Sequence, residues 1–138
     1  MVQGTPTAVS YPAVPLEQGL RAEFDHTVTE QDTAAAVGSG DVPVLATPRV
    51  LTLCEIATVQ ALDGHLEEGQ TTVGMRIQLD HLAPTPVGDS VKVEALVEEL
   101  EGARVIFKVT VNDIRGLVAV GRVTRVVVNR ARFLDKLR

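Results

Sequence analysis

One segment constrains the fold more than any other: residues 47–65, TPRVLTLCEIATVQALDGH, the long helical signal in this 138-residue chain. Thr47 suits the N-cap and Pro48 the first helical position, where a missing N–H costs nothing, and Asp63-Gly64 closes the helix after about Leu62. Val50, Leu53, Cys54, Ala57 and Ala61 recur at helical spacing as one apolar stripe. Leu51, Ile56, Val59 and Leu62 carry the apolar surface almost all the way round. Such a helix is expected to be enclosed by other elements.

Glu55 sits two turns past the cap, with no Lys or Arg three or four residues away to pair with it. A carboxylate there either reaches a pore, partner or substrate, or carries a raised pKa. The plainer reading is a wet helix edge made of Thr52, Glu55, Thr58 and Gln60.

Three Phe, one Tyr and no Trp leave the core to Val, Leu, Ile and Ala, and the abundance of Val favours strands. Residues 20–29 alternate, with Leu20, Ala22 and Phe24 inward. Residues 71–79 alternate with Thr71, Val73, Met75, Ile77 and Leu79 on one face and Thr72, Gly74, Arg76 and Gln78 on the other. Further strands are predicted over 90–100, 103–111 and 117–128, with a hairpin turn at Glu101-Gly102. Four strands in succession after a single helix exclude a sheet built from repeated crossovers. The expectation is an α+β domain, a curled antiparallel sheet wrapped round one central helix.

Residues 1–18 are proline-rich and without period, which predicts a flexible tail; 19–130 form the domain and 131–138 a short basic tail. Residues 32–40, DTAAAVGSG, read as a helical turn run into a mobile loop.

The formal charge of −5, from 13 basic and 18 acidic residues, argues against nucleic acid as a partner. No apolar run approaches a membrane span, and the first residues lack a basic start and a long apolar stretch, so a cytoplasmic protein is expected. Cys54 is the one cysteine; it forms no internal disulfide and reads as core rather than nucleophile. One Cys and three His without ligand-pair spacing predict no metal site. His81 follows Asp80 at a strand end, ahead of a proline-rich turn, and an imidazole is a usable proton shuttle near neutrality.

The order of strand, helix and strands resembles the hot-dog fold. From Gly19 to Val128 the chain is similar to the small bacterial thioesterase family that includes the fluoroacetyl-CoA thioesterase. That family's helix opens on a Thr, with a Glu eight residues later and a His 26 residues beyond, here Thr47, Glu55 and His81. The local strings are Ala46-Thr47-Pro48, CEIA at 54–57 and DHLAPTPVGDSVKV at 80–93. A strand Gly and a last-strand Arg match Gly74 and Arg125.

The resemblance implies hydrolysis of an acyl-CoA thioester. Glu55 would act as general base or attacking carboxylate, His81 as proton donor and acceptor, and Thr47 as orienter or nucleophile. The backbone near Gly74 would bind the carbonyl, although that glycine has the alternative of letting the sheet bend. Arg125 would meet the CoA phosphates or pair with Glu94 or Glu98. No cofactor is implied, since CoA belongs to the substrate. Helical rise alone separates Thr47 from Glu55 by about 12 Å; the resemblance implies a homodimer with active sites at the subunit interface, where residues of two chains would meet.

One departure limits the inference. The fluoroacetate-specific enzyme has phenylalanines in a lid upstream of its Thr, where this chain has Ala34, Ala35, Ala36, Val37 and Gly38 to Gly40. Selectivity for the fluorinated acyl group is therefore not expected. Two rivals stand beside hydrolysis: an acyl-CoA hydratase or dehydratase on the same fold, and a non-catalytic binder of acyl-CoA or a small hydrophobic ligand.

Overall fold

The computed structural model describes residues 14–138. Strand β1 (Arg21–Thr27) leads through a 3-10 turn (Glu30–Asp32) and the short α1 (Ala34–Val37) to helix α2 (Thr47–Ala61). Strands β2 (Gln70–His81), β3 (Ser90–Glu101), β4 (Arg104–Asp113) and β5 (Gly116–Asn129) follow, and α3 (Arg130–Asp135) closes the chain. The five strands form one antiparallel sheet in the order β1-β3-β4-β5-β2.

That order corrects the simplest meander. Strands β3, β4 and β5 are successive neighbours, but β2 pairs with β5 and stands at the far edge from β1. Alternation reports which face a residue takes and not which strand lies beside it. The connection from β2 to β3 is accordingly no hairpin: residues 82–89 are held by the Leu45 N–H donating to the Thr85 carbonyl and by the Thr85 hydroxyl donating to Asp113. The β3–β4 link is the expected tight turn, with Gly102 at φ 59°.

The sheet curls over α2. Val91, Val93, Ala95 and Val97 of β3 and Val105, Phe107, Val109 and Val111 of β4 point inward against Val50, Leu53, Cys54, Ala57 and Ala61. Each large side chain removed from water in this way contributes about 1.5–3 kcal/mol. Cys54 is part of this core, and burial pushes its thiol up to about 12, so it is no nucleophile.

The helix is less enclosed than its composition suggested. Ile56 and Val59 are 38% and 52% exposed, because the sheet covers one side of α2 and leaves the other to solvent. Of the segment expected to be a flexible tail, residues 1–13 lie outside the described residues. From Val14 the chain lies along the end of α2, where the Val14 N–H donates to the Gly64 carbonyl and His65 meets the Val14 carbonyl. Among the described residues no helix is long and apolar enough to cross a membrane.

Candidate active site

Strand β2 decides where the site residues fall. Gly74 pairs with Arg125 and Arg76 with Thr124, so Met75 is an extra residue, a β-bulge that shifts the inward set by one. Upstream of it Thr72 and Gly74 face the helix, and downstream Ile77, Leu79 and His81 do. Strict alternation put Gly74 and His81, seven residues apart, on opposite faces. The bulge brings them to the same one.

His81 meets the start of α2. Its Nδ1 lies 2.7 Å from the Thr47 hydroxyl oxygen. Thr47 does not cap the helix as expected: the cap position is Ala46, Thr47 is the first helical residue and Pro48 follows. Its hydroxyl is committed to the imidazole instead. Burial lowers the His81 pKa below the ordinary imidazole value, with the Ala83 backbone acting in the opposite direction. The ring is therefore mostly neutral at pH 7. Its Nε2 is buried and has no hydrogen-bond partner among the described residues.

Glu55 lies elsewhere. Arg125 Nη1 donates to Glu55 Oε2 over 3.0 Å, while Arg125 Nε and Nη2 donate to the hydroxyl and carbonyl of Thr72 over 2.9 and 3.1 Å. Arg125 is 7% exposed. Arg125 therefore pairs with Glu55 and not, as expected, with Glu94 or Glu98, which pair with Arg21 and Arg122. It also supplies the partner that Glu55 lacked along its own helix. A Cβ on Gly74 would collide with Glu55 Oε2, so a side chain here would push the carboxylate off its arginine.

One chain thus holds two separate clusters. Thr47 and His81 are in contact at the first turn of α2, and Glu55, Arg125, Thr72 and Gly74 gather two turns along. The structure does not bring Glu55 to His81 within a chain.

A cavity of about 350 Å³ opens over the first cluster. Thr47, His81, Leu82 and Pro84 line it together with Ser39, Asp41 and Val42 of the loop ahead of α2. Its size is within the range of small-ligand sites. The loop ahead of Thr47 does line it, but its base is not loosely held. Asp32, Thr33 and Ala34 are buried, and the Ala34 N–H donates to the Val44 carbonyl over 2.9 Å.

Residues 28–131 match the model of the fluoroacetyl-CoA-specific thioesterase family. The chain belongs to that family. The fluoroacetyl-CoA thioesterase of Streptantibioticus cattleyicolor is 34% identical over 95 residues, covering 69% of this chain and 68% of that protein. A solved variant of a fluoroacetyl-CoA-specific thioesterase in complex with fluoroacetate and CoA is 29% identical, with a TM-score of 0.78 over 86% of this chain and 99% of that one. A thioesterase superfamily member from Thermus thermophilus is 32% identical, with a TM-score of 0.83 over 90% and 92%. The hot-dog thioesterase fold expected from the sequence is therefore the fold of this family member.

Sequence reasoning missed Thr72 and the group formed by His26, Asp32 and Arg49. A signal for the latter was present in Thr29 and Asp32, spaced as a capping box.

Proposed function

We propose that this family member hydrolyses an acyl-CoA thioester to a free acid and CoA, and that the contact between Thr47 and His81 at the cavity wall is one half of its active site. The observation that carries the reading is this hydroxyl–imidazole pair in a thioesterase-family fold. In the tautomer protonated at Nε2, Nδ1 accepts from the Thr47 hydroxyl. A neutral imidazole so placed takes the Thr47 hydroxyl proton as that hydroxyl takes one from the attacking water, and the imidazolium returns its proton to the departing CoA thiolate. Water adds to the acyl carbon, the C–S bond breaks, and the thiol leaves with that proton.

The Glu55 cluster is the complementary half. Arg125 fixes the carboxylate, and Gly74 leaves room for it, so that Glu55 is presented as base or nucleophile. The two halves meet when two subunits associate. Both β1 and β2 are edge strands, a state that favours pairing with another chain. Ile56, Val59 and Met75, exposed on α2 and at the β2 bulge, supply apolar surface to an isologous contact. Light scattering at micromolar concentration is expected to give the mass of a dimer; a monomeric mass overturns this arrangement.

The function is tested by thiol release from a panel of acyl-CoAs, because free CoA is expected from a thioesterase and not from a hydratase or a binder. The cavity loop carries alanine and glycine where the fluoroacetate enzyme carries phenylalanines, so short unsubstituted acyl groups are expected to be accepted as well. Val42 lines the cavity and Val37 does not. Val42→Phe is therefore expected to lower kcat/KM for longer acyl chains about tenfold relative to acetyl-CoA, within the range that steric contacts in such pockets give. An unchanged ratio would place the acyl group outside this cavity.

A further inference from the structure

The chemistry above leaves the buried carboxylate of Asp32 without a role. Asp32 is 4% exposed and fully supplied with partners. His26 Nε2 lies 2.8 Å from its Oδ2, the Thr29 N–H and hydroxyl donate to the same oxygen over 2.8 and 3.1 Å, and Arg49 Nε donates to Oδ1 over 2.7 Å. Burial alone would raise the Asp32 carboxyl, yet the Thr29 N–H, His26 and Arg49 together hold it well below the usual carboxylate range.

The placement of these partners gives the cluster its meaning. The Asp32 carbonyl accepts from the Ala46 N–H over 2.9 Å, while its carboxylate grips Arg49. Thr47 lies between the two points held. Thr33, the next residue, pairs with Leu45, and its hydroxyl accepts from the Ala36 N–H at the start of α1. The first turn of α2 and both strands of the cavity loop's base therefore hang from one residue pair, Asp32-Thr33. His26 ties that pair to β1 and so to the sheet. Thr47 is an exposed residue, and among the described residues its hydroxyl bonds only His81.

We infer that Asp32, clamped by His26 and Arg49, is a positioning residue that holds the first turn of α2 so that the Thr47 hydroxyl stays in register with His81 on β2. A displacement of about 1 Å is enough to cost up to 10²-fold in rate. The kinetic expression of this role rests on the thioesterase reading, whereas its structural expression does not.

Asp32→Asn keeps the volume and removes the charge; Arg49→Gln removes the same grip from the other side and replaces it where Asp32→Asn fails to fold. Each is compared with the parent at a temperature where circular dichroism shows both folded. The expected result is a fall of about tenfold in kcat, with KM within about twofold. The same substitution in a Thr47→Ala background is expected to lose little further rate, since a residue acting through Thr47 has nothing left to position. By NMR, the His81 imidazole midpoint is expected to rise toward its ordinary value in Asp32→Asn, as the hydroxyl–imidazole pair opens to water. An equal loss of kcat in both backgrounds, or an unmoved His81 midpoint, overturns the inference and leaves Asp32 a folding residue. Should the parent cleave no acyl-CoA, the thioesterase reading fails and the His81 midpoint alone decides: moved upholds the positioning role, unmoved overturns it.

Discussion

His81→Ala is expected to lower kcat/KM about 10²–10⁴-fold, the scale of a lost general acid–base group. Its melting temperature should change little, because His81 is half-buried and its Nε2 makes no hydrogen bond among the described residues. The pH dependence follows from the depressed pKa. With the neutral imidazole as the proposed base, the acidic limb of the kcat/KM profile should fall below the ordinary value of 6.5. For stability the sign is the same. Between the folded-state pKa and 6.5 the unfolded chain binds more protons than the folded one, so this contribution is complete above pH 6.5 and is lost as pH falls below it. Thr47 gives the companion test. Because Ala46 holds the cap position, Thr47→Ala removes no capping bond, and its loss of about tenfold in rate, equivalent to one hydrogen bond, reports on the site. Thr47→Ser keeps the hydroxyl and is expected to keep turnover. Full activity in His81→Ala would remove the first cluster from the chemistry.

The strands and the one long helix were legible in the sequence because each has one face that must be dry. Val91, Val93, Ala95 and Val97 alternate in the chain and are buried in the fold. The misreadings share a different cause, which is contact between residues distant in sequence. Arg125 is 70 residues from Glu55, and no local pattern links them. The Met75 bulge depends on how β2 lies against β5, and it reversed the face assigned to Thr72 and Gly74. At Thr47 the local signal was ambiguous by one position, and the hydroxyl was claimed by His81 from another element. Glu55 and His81 stood out by their own chemistry, and the family spacing joined Thr47 to them as a third site residue. That they fall into two clusters could come only from the fold.

Glu55→Gln is expected to reduce kcat/KM by about 10² or more, and to lower stability as well. An isolated charge among apolar side chains opposes folding, so a lone Glu55 would leave stability level or improved on conversion to the amide. The ion pair reverses that argument. Arg125 is 7% exposed and takes its counter-charge from Glu55, so the amide leaves a buried guanidinium with the two Thr72 oxygens and no anion. Breaking a fully buried pair costs about 3–5 kcal/mol, but the Glu55 side chain is 38% exposed, which reduces the expected loss to about 1–2 kcal/mol. A drop in rate could then be ascribed to a loosened fold, and mixing subunits separates the two causes. Glu55→Gln and His81→Ala are each nearly inactive alone. If each active site takes Thr47 and His81 from one subunit and Glu55 from its partner, a heterodimer of the two variants contains one intact site and one doubly altered site. Random reassociation of equal amounts makes about half the dimers mixed, so about a quarter of the parent activity should return. Denaturing and refolding the two together, then assaying thiol release, measures this directly. No recovery beyond the sum of the separate variants would place the complete site within a single chain, and near-parent turnover in Glu55→Gln alone would return Glu55 to the role of counter-ion for Arg125.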